Sequence, residues 1–349
     1  MEFLFSNTPP MATESTSFYD AFYDLTENSN QMDIAVGYIT ADSLAQLRRT
    51  VDLNNIDKLC LIIGMHYFEQ FTKVEYDTAI DLNNYLMGKG KGEVRLANAF
   101  RFHGKLYLYS NLGKPFAGII GSNNLSGISK GGNQSYEASL LIDDSSLTKA
   151  METFINSLKV KATKNIRDLS ITRFKKRNYP LQNQPNVEEA DPNEFADIWS
   201  HKTSTTFNIP LKDAPRSNLN VHFGKGRENS HTGVITPRHW YEIEIIVPKK
   251  ITSLKGYPIT NTPNAVFNVI TDDGYKFKCN VSGDYSKNFR SEGDLKILGK
   301  WIKGRLENSG ALIVGEPVTK ETFQRYGRDN FTMTKMDVEN LWYLDFSVK

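Results

Sequence analysis

The sequence predicts two domains: an N-terminal α/β domain, in which helices flank a mixed sheet, and a β-rich C-terminal domain. The chain has 349 residues, a length at which about two domains are expected. Strand-like and helix-like patterns alternate through the first 166 residues, which is typical of a sheet covered by helices. After residue 195, short runs rich in β-branched and aromatic residues follow one another, which is typical of a barrel-like sheet.

The N-terminal elements follow from the spacing of apolar residues. Continuous apolar runs predict buried strands, and apolar residues at three- and four-residue intervals predict helices. The predicted strands are 32–40, 59–65, 93–97, 104–109, 116–120 and 136–142. The predicted helices are 41–53, 74–86 and 145–166, the last with Ser145 or Ser146 as its N-cap.

The second half has strands separated by turn-forming sequences such as Asp272-Asp273-Gly274. Its predicted strands are 218–223, 241–247, 264–271, 275–281 and 341–348, and its predicted helices are 294–304 and 319–326. A polar stretch that contains Pro185 and Pro192 has the composition of a linker. We therefore expect a first domain over residues 1–180, a linker over 181–195 and a second domain over 196–349.

Composition excludes several classes of protein. The 39% apolar content excludes a largely disordered chain, and a net charge of +2 does not by itself indicate a nucleic-acid partner. No apolar run is long enough to span a membrane, and the N-terminus lacks the basic start of a secretion signal. Cys60 and Cys279 are too few for a disulfide framework or a thiolate metal site. We therefore expect a cytoplasmic protein with no membrane partner.

The stretch 103–143 carries polar residues that suit phosphodiester chemistry. His103 and Lys105 are two residues apart at the start of a predicted strand, so alternation places both side chains on one face. Ser122 and Asn124 follow the next apolar run, and Glu137 lies in the third. An imidazole, an ammonium, an amide and a carboxylate are thus expected at the ends of adjacent strands.

These groups could cleave a phosphodiester in two displacements. A neutral imidazole attacks phosphorus to give a phosphohistidine that water resolves, and a second imidazole protonates the leaving alkoxide. Lys105 and Asn124 are expected to stabilise the developing charge, and Glu137 to fix the tautomer of a histidine. Zinc-ligand spacing, a carboxylate cluster for paired magnesium ions and a phosphate-binding loop are all absent from the sequence. We therefore expect no metal and no cofactor.

Two imidazoles are needed, but the chain has only one His-x-Lys motif among its six histidines. The active site is therefore expected between two chains, in a homodimer formed through the N-terminal domain. A lone histidine in a strand is more often a core residue, and His66 is expected to be structural. Ser122 has either a catalytic role or a role in the turn alone. Asn123 is expected to shape that turn, and Asn124 to contact the phosphate.

His-x-Lys followed by Gly-Ser-x-Asn resembles the phospholipase D superfamily, with His103, Lys105, Ser122 and Asn124 on its pattern. The aspartate that usually follows the lysine is absent. This departure is typical of the short nuclease branch, in which a later glutamate takes part, and Glu137 is at that position. Over nearly the whole chain the sequence resembles the NgoFVII-type restriction endonucleases. The resemblance implies a phospholipase D-like nuclease domain, a pseudobarrel DNA-binding domain of the plant B-three type, and metal-independent cleavage of both DNA strands.

Two polar, basic segments, 224–238 and 325–335, are expected to contact DNA, because the resemblance places there the two arms that grip the major groove. They mix arginine, asparagine and aspartate, the side chains that read base edges. The alternative is two solvated loops. The candidate DNA-binding residues are Lys225, Arg227, Asn229, Arg238, Arg325, Arg328, Asp329, Asn330 and Lys335, with Lys287 and Arg290 as candidate phosphate contacts.

We therefore expect a restriction endonuclease that binds double-stranded DNA through its second domain and cleaves it through its first. Two alternatives remain open. One is a DNA-binding nuclease subunit that is active only with a separate helicase-like ATPase, since the chain has no ATPase motif of its own. The other is a phospholipase D-like phosphodiesterase that acts on a lipid or another small substrate. The extra β-rich domain and the lack of an amphipathic membrane-binding stretch favour DNA over a lipid.

Overall fold

A computed structural model describes residues 1–8, 10–130, 135–176, 180–228, 230 and 233–348. The chain forms two compact units. Unit 1 comprises Met1–Arg177 and Lys225–Trp240, and unit 2 comprises Asn178–Gly224 and Tyr241–Lys349. The segment Lys225–Trp240 therefore belongs to the unit that also contains the N-terminal half of the chain.

The strands of the described residues are numbered in chain order. They are β1 (Glu2–Phe5), β2 (Gln31–Val36), β3 (Lys58–Ile63), β4 (Phe71–Thr72), β5 (Gly92–Ala97), β6 (Lys105–Asn111), β7 (Lys114–Gly121), β8 (Ala138–Ile142), β9 (Thr163–Asn165), β10 (Phe174–Lys175), β11 (Glu188–Glu189), β12 (Lys202–Pro210), β13 (Arg227–Glu228), β14 (Ile235–Thr236), β15 (Ile245–Ile246), β16 (Val266–Thr271), β17 (Tyr275–Ser282), β18 (Asn288–Ser291), β19 (Asn330–Met336) and β20 (Leu341–Asp345).

The helices are numbered in the same way. They are α1 (Phe18–Glu27), α2 (Ala41–Leu53), α3 (His66–Glu69), α4 (Lys73–Gly88), α5 (Ser145–Ala162), α6 (Pro192–Asp197), α7 (Lys249–Thr252), α8 (Lys296–Asn308) and α9 (Lys320–Tyr326). Short 3₁₀ helices cover Leu125–Ile128, Ile166–Asp168, Ile198–His201, Asn218–Phe223, Pro263–Ala265 and Asp284–Ser286. No helix among the described residues is both long enough and apolar enough to cross a membrane.

Unit 1 is built on a mixed sheet with strand order β1-β8-β7-β6-β2-β3-β5-β9. Strands β2, β3 and β5 are parallel to one another, and β6, β7 and β8 are antiparallel neighbours. Successive strand residues face opposite sides: Ile34 packs in a core that includes Leu44 of α2, and Ala35 packs in a second core with Met151 and Ile155 of α5. Helices thus cover both faces of the sheet, and the predicted α/β architecture is confirmed.

Three details of unit 1 differ from the prediction. Strand β6 begins at Lys105, so His103 lies just before the strand, and Glu137 likewise precedes β8. The N-cap of α5 is Asp144, whose Oδ1 accepts hydrogen bonds from the backbone N–H groups of Ser146 (3.0 Å) and Leu147 (2.9 Å). The prediction of a serine N-cap was therefore wrong, because the carboxylate one residue earlier takes the free amide groups of the first turn.

Strands β13 and β14 form a short hairpin that packs into unit 1. Val234 is 2% exposed and belongs to the same core as Leu44. Gln46 of α2 donates a hydrogen bond from Nε2 to the carbonyl oxygen of Pro237 (3.3 Å). The Nε2 atom of His239 lies 3.2 Å from Oδ2 of Asp42. This hairpin, residues 225–240, is therefore anchored on helix α2 by an apolar contact, a hydrogen bond and the contact between His239 and Asp42.

Unit 2 is built on a sheet with strand order β12-β19-β20-β16-β17-β18-β15, and β11 also pairs with β17. Strands β16 and β20 are parallel, and the other pairs are antiparallel. The sheet curls as a half barrel. Trp301 of α8 lies against it, with its ring centroid 5.7 Å from that of Phe331 and 6.0 Å from that of Phe346. The prediction of a β-rich pseudobarrel is confirmed.

Residues 218–223 form a 3₁₀ helix, and the strand predicted there was wrong. The physical reason lies in Asn220, whose Nδ2 donates hydrogen bonds to the carbonyl oxygens of Ala214 (3.0 Å) and Val318 (2.8 Å). Its Oδ1 accepts a hydrogen bond from the backbone N–H of Val318 (2.8 Å). Bonds from a buried amide side chain to a nearby and to a distant backbone segment outweigh the local β-pattern.

Two segments of unit 2 contain regular structure that was not predicted. The stretch 181–195 includes β11 and the start of α6, and it belongs to unit 2. The stretch 325–335 includes the last turn of α9 and most of β19. Between those elements, Gly327 caps the helix with φ +92°, a conformation that glycine adopts without strain.

Candidate active site

The candidate catalytic residues lie at the ends of neighbouring strands of the unit 1 sheet. Because β6, β7 and β8 are antiparallel neighbours, the start of β6, the end of β7 and the start of β8 lie side by side. His103 and Lys105 are at the first of these positions, Asn124 follows the second, and Glu137 precedes the third. The expectation that these side chains lie at the ends of adjacent strands is confirmed.

His103 and Lys105 are in direct contact. The Nζ atom of Lys105 lies 3.2 Å from both Nδ1 and Nε2 of His103, and it donates a hydrogen bond to the carbonyl oxygen of His103 (2.8 Å). Lys105 is 7% exposed, whereas His103 is exposed. Burial lowers the pKa of the Lys105 ammonium, and the negative charge of Glu137 raises it in partial opposition. A histidine that solvent reaches is thus held next to a buried cation.

Asn124 is oriented by a neighbouring strand end. Its Oδ1 accepts a hydrogen bond from the backbone N–H of Tyr38 (3.0 Å), which follows β2. A side-chain amide has one oxygen acceptor and one NH₂ donor, so the bond to Tyr38 leaves Nδ2 as the group that donates elsewhere. This orientation suits a contact with an anionic substrate.

The two residues before Asn124 have structural contacts. Asn123 is buried, donates from Nδ2 to Oγ of Ser139 (2.8 Å), and its carbonyl oxygen accepts from the hydroxyl of Tyr107 (3.0 Å). The hydroxyl of Ser122 accepts from the backbone N–H of Ala138 (3.0 Å) and is 3.1 Å from its carbonyl oxygen. Both side chains thus hold the turn after β7 against the start of β8.

Glu137 is half-buried, and its backbone N–H donates to the hydroxyl of Ser6 (2.8 Å). Within the described part of the chain, no hydrogen bond joins its carboxylate to His103. The charge of this carboxylate nevertheless acts on Lys105. In one copy of the chain, Glu137 therefore acts on the lysine of the site through its charge.

His66 is 4% exposed, as expected for a structural residue. Its Nε2 accepts a hydrogen bond from the backbone N–H of Ile39 (3.3 Å), and its Nδ1 faces the carbonyl oxygen of Gln70 (3.3 Å). Its ring stacks on that of Phe71, with centroids 4.6 Å apart. Both ring nitrogens therefore have backbone partners.

Sequence reasoning missed Tyr38, which was assigned to the interior of a predicted strand. Strand β2 ends at Val36, so Tyr38 lies at the edge where the candidate catalytic residues meet. Its ring centroid is 5.6 Å from that of His103, with the two planes at 79°. The clue in the sequence was an aromatic residue just after a Gly that follows a buried apolar run, since such strand ends carry functional side chains in α/β folds.

The other side chains that could react or bind a metal are the cysteines and any cluster of metal-ligating residues. Cys60 and Cys279 are buried free thiols. Burial raises the pKa of Cys60 to about 12 and also raises the pKa of Cys279. Across the described ranges, no three His, Cys, Asp or Glu side chains are grouped so that they could hold a metal ion.

The candidate DNA-binding residues belong to both units. In unit 1, Lys225 and Arg227 are exposed and Arg238 is half-buried, all in the hairpin 225–240. Asn229 lies outside the described residues. The hairpin thus carries its candidate contacts on the unit that contains His103.

The other candidates are in unit 2, where Arg325, Asp329 and Lys335 are exposed. Arg328 is held within the unit: Nη1 donates to the carbonyl oxygen of Ser347 (2.8 Å) and lies 3.3 Å from the carboxylate of Asp345. The remaining candidates also have neighbours: Asn330 Nδ2 donates to Asp329 Oδ1 (3.0 Å), Arg290 Nη2 donates to Ser282 Oγ (2.9 Å), and Lys287 Nζ lies 3.6 Å from Asp284 Oδ2.

Comparison with known families gives two matches. The model of the NgoFVII restriction endonuclease N-terminal PLD domain matches residues 16–170. The model of the NgoFVII C-terminal B3-like DNA-binding domain matches residues 197–337. Together the two models cover most of the chain, in the order that the sequence predicts. No curated protein matches.

Similar solved structures include three proteins. NucT from Helicobacter pylori has a TM-score of 0.31 and 17% identity, over 42% of this chain and 88% of that one. Polyphosphate kinase from Porphyromonas gingivalis has a TM-score of 0.31 and 11% identity, over 47% and 24%. Phosphatidylserine synthase from Haemophilus influenzae Rd KW20 has a TM-score of 0.34 and 16% identity, over 48% and 41%. The chain thus spans less than half of the last two.

Proposed function

The chain belongs to the NgoFVII restriction endonuclease family, with a PLD nuclease domain followed by a B3-like DNA-binding domain, and on this basis we propose that it cleaves both strands of DNA without a metal, through a phosphohistidine on His103. One observation carries the proposal: Lys105 Nζ lies 3.2 Å from both ring nitrogens of exposed His103. The oriented amide of Asn124 is at the same sheet edge. Phosphoryl transfer needs a nucleophile and fixed groups that stabilise negative charge, and these three residues can supply both.

In the first step, a ring nitrogen of His103 attacks phosphorus and the bond from phosphorus to the leaving oxygen breaks. Negative charge grows on the other phosphorus-bound oxygens, and the Lys105 ammonium and the Asn124 amide stabilise it. A second imidazole gives its proton to the leaving oxygen. In the second step, water attacks phosphorus, the phosphorus–nitrogen bond breaks, and the second imidazole takes the proton of the water.

We assign the second imidazole to His103 of another copy of the chain. Two histidines of unit 1 besides His103 lie in the described residues, and neither suits the role. His66 is buried with both ring nitrogens next to backbone partners, and His239 lies 3.2 Å from the carboxylate of Asp42. A homodimer through unit 1 would supply the missing group.

Sequence recognition is assigned to the second domain. Exposed Arg325 and Lys335 are cations that can contact phosphates and acceptor atoms of bases. Exposed Asp329 can accept a hydrogen bond from a base. Exposed Lys225 and Arg227 of the hairpin 225–240 would add contacts from unit 1. Each unit would thus contribute contacts to the DNA.

The decisive experiment is plasmid cleavage by the purified protein in excess EDTA, beside His103→Ala and the control His201→Ala. His201 is a surface histidine of unit 2 whose ring lies near Asp197 and Asp337. We expect cleavage by the parent and by His201→Ala, and none by His103→Ala, with DNA binding unchanged in all three. Rapid denaturation during the reaction should trap labelled DNA on the parent protein through an acid-labile bond.

Other results would contradict parts of the proposal. Cleavage by His103→Ala would exclude the nucleophile, and loss of parental activity on adding EDTA would exclude the metal-free mechanism. Specific DNA binding without cleavage by the parent would favour a nuclease subunit that depends on a separate helicase-like ATPase. Equal affinity for cognate and random duplexes would exclude sequence recognition.

A further inference from the structure

We propose that Tyr38 is a positioning residue that holds the nucleophilic ring of His103 and the amide of Asn124 in one fixed arrangement. The inference rests on the proposed function, because it assigns a supporting role to a residue next to the same site. It arises from four contacts made by this single residue.

The first two contacts involve the site itself. The backbone N–H of Tyr38 donates to Oδ1 of Asn124 (3.0 Å), which fixes the orientation of that amide. The Tyr38 ring meets the His103 ring edge to face, with centroids 5.6 Å apart and planes at 79°. Aromatic rings favour this arrangement over random packing, so the tyrosine restricts the rotation of the imidazole.

The other two contacts of Tyr38 are with helix α3. Its hydroxyl donates a hydrogen bond to Oε2 of Glu69 (2.8 Å). Its ring also meets the buried ring of His66, with centroids 5.8 Å apart and planes at 78°. Glu69 and His66 belong to α3, a short helix that follows β3. Helix α3 therefore holds Tyr38 in place. Tyr38 in turn restrains the side chains of His103 and Asn124.

The backbone beneath His103 supports the same conclusion. A Cβ atom on Gly37 would lie 3.1 Å from Cδ2 of His103, so the chain passes directly under the imidazole. The bond to Glu69 raises the pKa of Tyr38, and the hydroxyl of a tyrosine is protonated and able to donate at neutral pH. In-line attack on phosphorus requires a ring of fixed orientation. The residue that fixes the ring here is one that the sequence pattern had assigned to a strand interior.

The test compares Tyr38→Ala, Tyr38→Phe and a matched control, Tyr85→Ala. Tyr85 is a half-buried tyrosine of unit 1 whose hydroxyl donates to a carboxylate, that of Asp52, away from the site. Single-turnover cleavage is measured with DNA at saturation, together with DNA affinity and thermal unfolding. We expect Tyr38→Ala to lower the cleavage rate constant about 10²-fold with unchanged affinity. Tyr38→Phe, which keeps the ring, should stay within about threefold of the parent.

A second measurement does not depend on activity. In protein labelled with ¹⁵N only at histidine, the ring resonances of His103 are assigned from their loss in His103→Ala. We expect them to shift and broaden in Tyr38→Ala, and to remain as in the parent in Tyr85→Ala. A parent that does not cleave DNA would overturn the proposed function, and these resonances would still decide the role of Tyr38. Unchanged resonances, or equal rates in Tyr38→Ala and the parent, would overturn the positioning role.

Discussion

The ammonium of Lys105 is 3.2 Å from each ring nitrogen of His103, although the lysine is 7% exposed and the histidine is open to solvent. The contact therefore places a cationic group directly beside the proposed nucleophile. It also makes the protonation of Lys105 a condition for stabilising a phosphate at the site.

The first prediction concerns this protonation. Burial lowers the pKa of Lys105 from 10.5, and the Glu137 carboxylate opposes that effect. As pH rises, the lysine thus loses its proton earlier than a free lysine would, and cleavage should fall on the alkaline side. Glu137→Gln removes the opposing charge, so the pKa drops further. We expect the alkaline limb of the single-turnover pH–rate profile to move to lower pH.

The control for this profile is Glu152→Gln, which removes an acid on α5 that pairs with Lys149. Its alkaline limb should coincide with that of the parent. An unchanged limb in Glu137→Gln would mean that this carboxylate does not set the charge of Lys105.

The second prediction uses the orientation of Asn124. Asn124→Asp keeps an oxygen that accepts the hydrogen bond from the Tyr38 backbone, but it replaces the NH₂ donor by a negative charge. Because the substrate is an anion, we expect the cleavage rate to fall about 10²–10³-fold while the thermal unfolding temperature changes little. Asn165→Asp serves as a comparison, since Asn165 is a buried asparagine at the far edge of the same sheet. Full activity in Asn124→Asp would exclude a donor role for Asn124.

The third prediction concerns the hairpin 225–240. Val234 is 2% exposed within the core of unit 1, so Val234→Ala should lower the free energy of unfolding of this unit by about 2 kcal/mol. Hydrogen exchange of the α2 amides, measured in the intact protein, reports on unit 1 specifically. Val160→Ala, at a valine that is 80% exposed, should leave this exchange unchanged. Equal exchange in both variants would mean that the hairpin does not pack in this core.

The fourth prediction compares two arginines on the candidate DNA-binding segments. Arg227 is exposed, and Arg328 is held by Asp345 and Ser347. We expect Arg227→Ala to weaken binding of a cognate duplex by about 1–3 kcal/mol. Arg328→Ala should also destabilise unit 2, because it leaves the half-buried Asp345 without this ion pair. Fluorescence anisotropy and thermal unfolding measure both effects. No change in affinity for Arg227→Ala would exclude a DNA contact.

The sequence predicted well those elements whose pattern is decided locally. Helix α2 has the predicted bounds, because Leu44, Leu47 and Val51 form one fully buried stripe and Thr40 caps its first turn. Residues 218–223 were misjudged because Asn220 bonds to the backbone of Val318, far along the chain. Apolar spacing contains no information about such long-range bonds.

In the candidate site too, residues with a distinctive local pattern were predicted, and a residue defined by long-range contacts was missed. His103, Lys105 and Asn124 were found because their chemistry and spacing are distinctive, and the sheet order then brought them to one edge. Tyr38 was missed because its role depends on a backbone N–H and on a ring contact with His103. The residue pattern marks only the strand end at Gly37, and the two contacts arise once β2 pairs with β6 in the folded sheet.

The packing of the hairpin 225–240 has a consequence for recombining this protein with its relatives. A chimera that joined residues 1–180 to a foreign recognition module would retain every candidate catalytic residue, yet it would lack Val234 and the His239 partner of Asp42. The core of the nuclease unit would then be open where Val234 packs. A viable exchange of specificity must therefore leave the hairpin with the nuclease, with crossovers on both sides of it and not at the linker alone.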